Sequence, residues 1–159
     1  MNDENTLRLP TIPLAAEIRY FDERPMAGRI FLPTAAQHHE GPMRPEEWMN
    51  QDARFFPFQP DEGGRPLLLN KRYVVVLTVA LDGLALAGDD EEATAPCRIR
   101  VQCGTLELTG DVYIAARETQ RRLLDFANRG EPFLTLHDGE RRHLIQKNRI
   151  TMITEVVED

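Results

Sequence analysis

The sequence predicts a mostly β protein with short helices, built as a tandem duplication of one small barrel or roll. Three observations carry this expectation. Ala27-Gly28-Arg29-Ile30-Phe31-Leu32 reads against Thr109-Gly110-Asp111-Val112-Tyr113-Ile114, residues 44–50 (RPEEWMN) against 122–128 (RLLDFAN), and residues 68–74 (LLNKRYV) against 144–150 (LIQKNRI). The three matches fall in one order, at offsets of 82, 78 and 76. Finally, the two lysines among 19 basic residues, Lys71 and Lys147, fall on each other. Internal self-similarity is weighed before any other fold argument, because it sets the architecture.

Residues 1–15 are polar and broken by Pro10 and Pro13, so they read as a flexible arm. The first repeat spans 16–80. Residues 17–21 are short and β-prone, 22–25 form a turn, and 26–32 return as a strand carrying Gly28. A glycine inside a strand suggests a bulge or a close backbone approach. Residues 33–43 read as a loop. Residues 45–50 read as a short helix, with Pro45 at its first position and Glu46 and Glu47 in its first turn. Strands at 54–58 and 66–79 flank a Pro-Asp-Glu-Gly-Gly turn. Residues 81–96 are an acidic linker.

The second repeat, 97–159, follows the same plan. Strands at 98–103 and 105–115 meet near Gly104. A helix over 118–128 stacks Leu123, Leu124 and Ala127 and stops at Arg129-Gly130. A strand at 133–136, a hairpin turn at Asp138-Gly139 and one long or bent strand over 143–157 complete it. Each repeat is therefore strand, strand, helix, strand, strand, with the last strand open to a break. In this plan Trp48 and Phe126 anchor the helices in the core. Asn50 and Asn128 close the helices in a left-handed conformation.

Bulk properties narrow the function classes. At 159 residues, with 42% apolar and 28% charged residues, the chain reads as a soluble globular protein. Its longest apolar run, residues 73–77, is far below the roughly 20 residues of a membrane-spanning helix. The start MNDENTLRLP lacks an apolar segment, so no signal peptide is expected. Cys97 and Cys103 lie six apart on one extended segment, about 20 Å at strand spacing, which is beyond disulfide reach. Reduced thiols and a cytoplasmic location follow. The net charge of −7 is concentrated in the linker (Asp82, Asp89, Asp90, Glu91, Glu92) and the last five residues. This argues against nonspecific nucleic-acid binding by the whole chain. Residues 98–154 hold ten bases and seven acids, which leaves room for a local basic face.

Chemistry-bearing motifs are scarce. His38-His39-Glu40 offers metal-type donors without a second pair at ligand spacing, and reads as a polar loop. His137 and His143 flank the Asp138-Gly139 turn and read as a solvent-facing pair. Cys97 and Cys103 read as small buried hydrophobes. No phosphate-binding, nucleophile-elbow, zinc-protease or dinucleotide motif occurs. No catalytic residue, metal site or cofactor is expected. The residues singled out for binding an anion or a partner are Arg121, Arg122, Arg141, Arg142, Lys147 and Arg149. Clustered, they would hold phosphate, RNA or an acidic segment.

The ordered blocks, ending in Lys147-x-x-Ile150-x-x-Ile153, resemble an uncharacterised small bacterial β-domain. Their strand order is similar to the Sm-like barrel, the family that includes bacterial Hfq. Gly110 would be the bend of the bent strand and Lys147, Ile150 and Ile153 the final segment, with Gly28, Lys71 and Val74 matching in the first repeat. The resemblance implies a fold; it departs in placing the helix between strands and in lacking an aromatic-basic nucleotide pocket. The leading expectation is a non-enzymatic interaction module: a cytoplasmic adaptor or assembly subunit that binds protein partners and forms a homo-oligomer, without a membrane. The rival is an Sm-like RNA- or phosphate-binding protein using the basic face of the second repeat. A third reading is an enzyme using His38 or His39.

Overall fold

The computed structural model describes residues 10–21, 24–36, 40–81, 94–115 and 119–157. The elements follow as β1 (Thr11–Tyr20), β2 (Met26–Pro33), α1 (Pro45–Met49), β3 (Phe55–Pro60), β4 (Leu67–Asn70), β5 (Val74–Ala80), β6 (Thr94–Cys103), β7 (Leu106–Ala115), α2 (Thr119–Ala127), β8 (Phe133–Asp138), β9 (Arg141–Gln146) and β10 (Met152–Glu155). Single 3-10 turns, Lys71–Tyr73 and Lys147–Arg149, separate β4 from β5 and β9 from β10. The protein is mostly β. Its strands form one antiparallel ten-stranded sheet in the order β10-β6-β7-β8-β9-β5-β1-β2-β3-β4.

Three sequence expectations change. The arm ends earlier than residue 15, because β1 starts at Thr11 and pairs with β2 from Thr11↔Pro33 onward. Pro13 is tolerated there because the partner on the other side, β5, pairs with β1 only from Ala16. The linker ends at residue 93, since β6 starts at Thr94; Pro96 likewise lies beyond the reach of β10, whose pairing ends at Ile99. The strand expected over 66–79 is two strands broken at Lys71–Tyr73, and the segment 143–157, open to a break, is likewise broken at Lys147–Arg149. Gly139, at φ 60°, makes the turn into β9 as expected.

Strand registers repeat between the two halves. Ala16 opposes Gly28 in β1–β2, and Ile99 opposes Gly110 in β6–β7. Gln59 in β3 opposes Arg29, and His137 in β8 opposes Asp111. Phe55 opposes Asn70 in β3–β4, and Phe133 opposes Gln146 in β8–β9. Pairing between β2 and β3, and between β7 and β8, is confined to one or two residues, so the sheet turns sharply at both places. Each corner has its glycine. A Cβ on Gly28 would collide with the Gln59 carbonyl and the Phe58 ring, and one on Gly110 would lie 2.5 Å from the His137 carbonyl oxygen. No side chain fits where the two backbones approach this closely.

Alternation puts Leu14, Ala16 and Ile18 of β1, and Ile30 and Leu32 of β2, on a buried face. β5 and β9 differ, being buried almost continuously. They are the middle of the sheet, where the halves meet, and they pair with each other. Two apolar cores result, and each borrows from the other half: Phe133 and Leu144 lie in the first core, Val75 and Val76 in the second. Trp48 is buried in the first core, edge-on to Phe56 at 5.1 Å. Phe126 is half-buried against the second.

Candidate interaction surface

The junction between β5 and β9 joins the first half of the sheet to the second. Its ladder runs Val76↔Ile145, Leu77↔Leu144, Thr78↔His143, Val79↔Arg142 and Ala80↔Arg141. Polar locks hold both ends of the apolar middle. Gln146 Nε2 lies 2.8–2.9 Å from the carbonyls of Lys71, Arg72 and Val74, and its two N–H groups are shared among these three acceptors at the 3-10 turn and the start of β5. The Phe133 N–H donates to Asn50 Oδ1 at 2.9 Å, tying β8 to the end of α1. An Arg142 amino group contacts both carboxylate oxygens of Glu46 at 2.7 and 2.9 Å.

Asn50 therefore does more than close a helix. It is the C-cap of α1, but its φ of −88° and ψ of 0° are right-handed, not the left-handed geometry expected. Its N–H bonds the Glu46 carbonyl, and its side chain serves the neighbouring half. His143 is also not solvent-facing. β9 is an interior strand, and the ring is buried with Nδ1 2.8 Å from Thr78 Oγ1 and Nε2 3.4 Å from Asp138 Oδ2. Hydroxyl, imidazole and carboxylate stand in line, as a cross-strand pair that satisfies a buried ring within the junction. His137 instead meets Tyr113 edge-on at 4.8 Å.

The two lysines do the same work in the two halves. Each opens a 3-10 turn and reaches back to the end of the preceding helix. Lys71 Nζ donates to the carbonyls of Trp48 and Gln51 at 3.2 and 3.0 Å, and Lys147 Nζ to the carbonyl of Arg129 at 2.9 Å. A cation suits the carbonyl end of a helix, and lysine brings three donors on a flexible stem. Burial lowers the pKa of Lys71, with the Asp52 charge opposing. Burial likewise lowers that of Lys147, with Glu131 opposing and Arg129 adding to the shift.

The six basic residues have different fates. Arg121 and Arg122 lie on α2, and their side chains fall outside the described residues. Arg141 is exposed at the start of β9. Arg142 is buried on Glu46. Lys147 holds the helix end and lies 3.8 Å from Glu131. Arg149 lies over the Phe21 ring at 4.7 Å. Three of the four described side chains are thus engaged inside the chain. His38 and His39 lie outside the described residues. Cys97 and Cys103 are free thiols whose pKa values are raised, chiefly by burial, and for Cys97 also by Glu155 and Asp111. Among the described residues no His, Cys, Asp and Glu cluster could hold a metal, and no helix is long and apolar enough to cross a membrane.

The sheet ends on β4 at one side and β10 at the other, each with one unpaired edge among the described residues. Large apolar side chains stand exposed beside both: Phe55, Leu67 and Leu68 near the first, Leu124 and Met152 near the second. Sequence reasoning marked only Leu124 among these residues, as part of a helix face. The alignment of 68–74 with 144–150 sets leucine on leucine, and only burial separates Leu68 from Leu144. No protein-family model, curated protein or solved structure matches the chain.

Proposed function

We propose that the chain is a tandem duplication of one small Sm-like β-module and works as a non-enzymatic interaction protein, a cytoplasmic adaptor or assembly subunit that associates with itself. The observation that carries this reading is the pair of sheet edges, β4 and β10, unpaired among the described residues and each flanked by exposed apolar side chains. Exposed apolar edges are a liability in a monomer and mark interaction surfaces. The repeated registers and the matched lysines support the duplication. The rival reading, RNA or phosphate on a basic face of the second half, draws on the same arginines, but Arg142, Lys147 and Arg149 already have partners within the chain.

Sedimentation velocity across a concentration series tests the proposal: species heavier than the 18.2 kDa chain are expected. Labelled single-stranded RNA should bind no tighter than about 10 μM at physiological salt, the nonspecific range. Submicromolar RNA affinity that is lost in Arg121→Ala/Arg122→Ala/Arg141→Ala, with the fold intact, would favour the rival.

A further inference from the structure

We propose that the β4 edge of one copy pairs antiparallel with the β10 edge of a second copy, repeating between chains the junction that β9 and β5 form within one. This rests on the self-association reading and names its route. By strand order and register, β9 is the second-half counterpart of β4, and β10 the counterpart of β5. The chain therefore contains one such junction already made, together with the two unmatched halves of another.

Exposure carries the argument. Phe133 and Leu144, which enter the first core across the internal junction, are 4% and 0% exposed. Their counterparts Phe55 and Leu68 are 53% and 72% exposed. On the receiving side, Val76 is 4% exposed and its counterpart Met152 is 52%. At these three positions, side chains buried at the existing junction are bare at the free edges and still apolar. With the same offset of 76, the pairs Val76↔Ile145, Leu77↔Leu144 and Thr78↔His143 become Met152–Leu69, Ile153–Leu68 and Thr154–Leu67 between copies.

A receiving groove is present. Leu123, Leu124, Ala127, Ile150, Met152 and Ile153 line an open space of about 470 Å³ between α2 and β10. In the first half, the corresponding place between α1 and β5 is filled by Phe133 and Leu144. The polar details change in a consistent way. The Phe133-to-Asn50 hydrogen bond maps onto Phe55 and Asn128. Arg142 and Glu46 map onto Pro66 and Leu124, an apolar pair in place of an ionic one. The junction between copies is drier than the junction within a copy, and the two are chemically distinct, which keeps one from substituting for the other. Two different surfaces meet, so the contact is heterologous and propagates head to tail into a closed ring or a filament.

The test uses the full chain with one edge broken at a time. Leu68→Lys puts a charge on the β4 edge and Met152→Lys on the β10 edge. Both side chains are exposed within a single copy, so folding should persist, as circular dichroism and Trp48 fluorescence will report. Phe55→Ser and Leu124→Lys serve the same two surfaces if either first choice disturbs folding. Wild type is expected to sediment as an oligomer and each variant alone as a monomer. An equimolar mixture of the two should give a one-to-one dimer, joined through the single intact pair of edges. If wild type associates but a single-edge variant still does, or the mixture fails to pair, this route falls while self-association stands. A wild type that stays monomeric throughout removes both.

Discussion

Gln146 is the residue on which the internal junction depends most directly. Its amide N–H groups face the carbonyls of Lys71 and Arg72 in the 3-10 turn and of Val74 at the start of β5, the first and last of them buried. A buried carbonyl left without a donor costs about 1–3 kcal/mol. Gln146→Leu keeps the volume and removes the donors; the Lys71 carbonyl keeps the Val74 N–H, so the loss falls mainly on the Val74 carbonyl and should be roughly 1–3 kcal/mol, read as a reduced denaturation midpoint. Asn70→Leu, at the equivalent place on the free β4 edge, should cost much less, because its side chain caps only the exposed Arg72 N–H. Equal losses in the two variants would mean that the junction is not held by this amide.

Lys71 makes a pH prediction with a definite sign. Its folded pKa lies below the ordinary 10.5 because burial disfavours the cation. The unfolded chain then binds more protons than the folded one between the two values, so stability rises with pH across that window. Lys71→Met removes this titration. The stability of wild type relative to Lys71→Met should therefore increase as pH rises to 10.5, and level off above it. Taking the difference between the two proteins cancels the opposing contribution of the raised thiols, which is common to both. A difference that falls with pH would show that the helix-end carbonyls favour the lysine cation more than burial opposes it.

At the scale of elements, the corner glycines decide how each half curls. β7 meets β8 at Gly110 with no room for a methyl group beside the His137 carbonyl. Gly110→Ala must push the two backbones apart, and overpacking of this kind costs about 1–3 kcal/mol. Gly28→Ala faces the equivalent clash with Gln59 and Phe58. Both should lower the denaturation midpoint, whereas Gly130→Ala, with open space around it, should not do so by this mechanism. Equal tolerance at all three sites would refute the close approach. The helices are less decisive. α1 is only five residues long and holds its end by Lys71 and Asn50, not by its own length, as expected for a helix too short to be stable alone.

At the scale of the whole molecule, the two cores exchange residues through β5 and β9, so neither half is complete by itself. Phe133 and Leu144 leave an apolar hole in the first core if the second half departs, and Val75 and Val76 do the same in reverse. Unfolding should be a single cooperative event. Trp48, the chain's one tryptophan, reports on the first half, and circular dichroism reports on both. Their denaturation curves should coincide. Two separated transitions would show halves that stand alone, and would weaken the account of the junction given above.

Most of the strands, both helices and the turn glycines were legible from residues alone, because each depends on a local requirement. Alternating burial has a period of two, Pro45 sets a helix start, and a crowded backbone crossing admits only glycine. The strand nature of residues 11–15, the right-handed cap at Asn50 and the burial of His143 were not legible. Each depends on which strand lies alongside, and a backbone edge offers the same donors and acceptors to any partner. What selects β9 for β5 is the burial of Leu144, Phe133 and Gln146 across the junction, a match between residues more than 60 positions apart. The sequence by itself determined the pattern of strands and helices and the residues that local geometry demands. Only the tertiary structure decided which edges are joined and which are left open, because that choice is made by side-chain packing between distant strands.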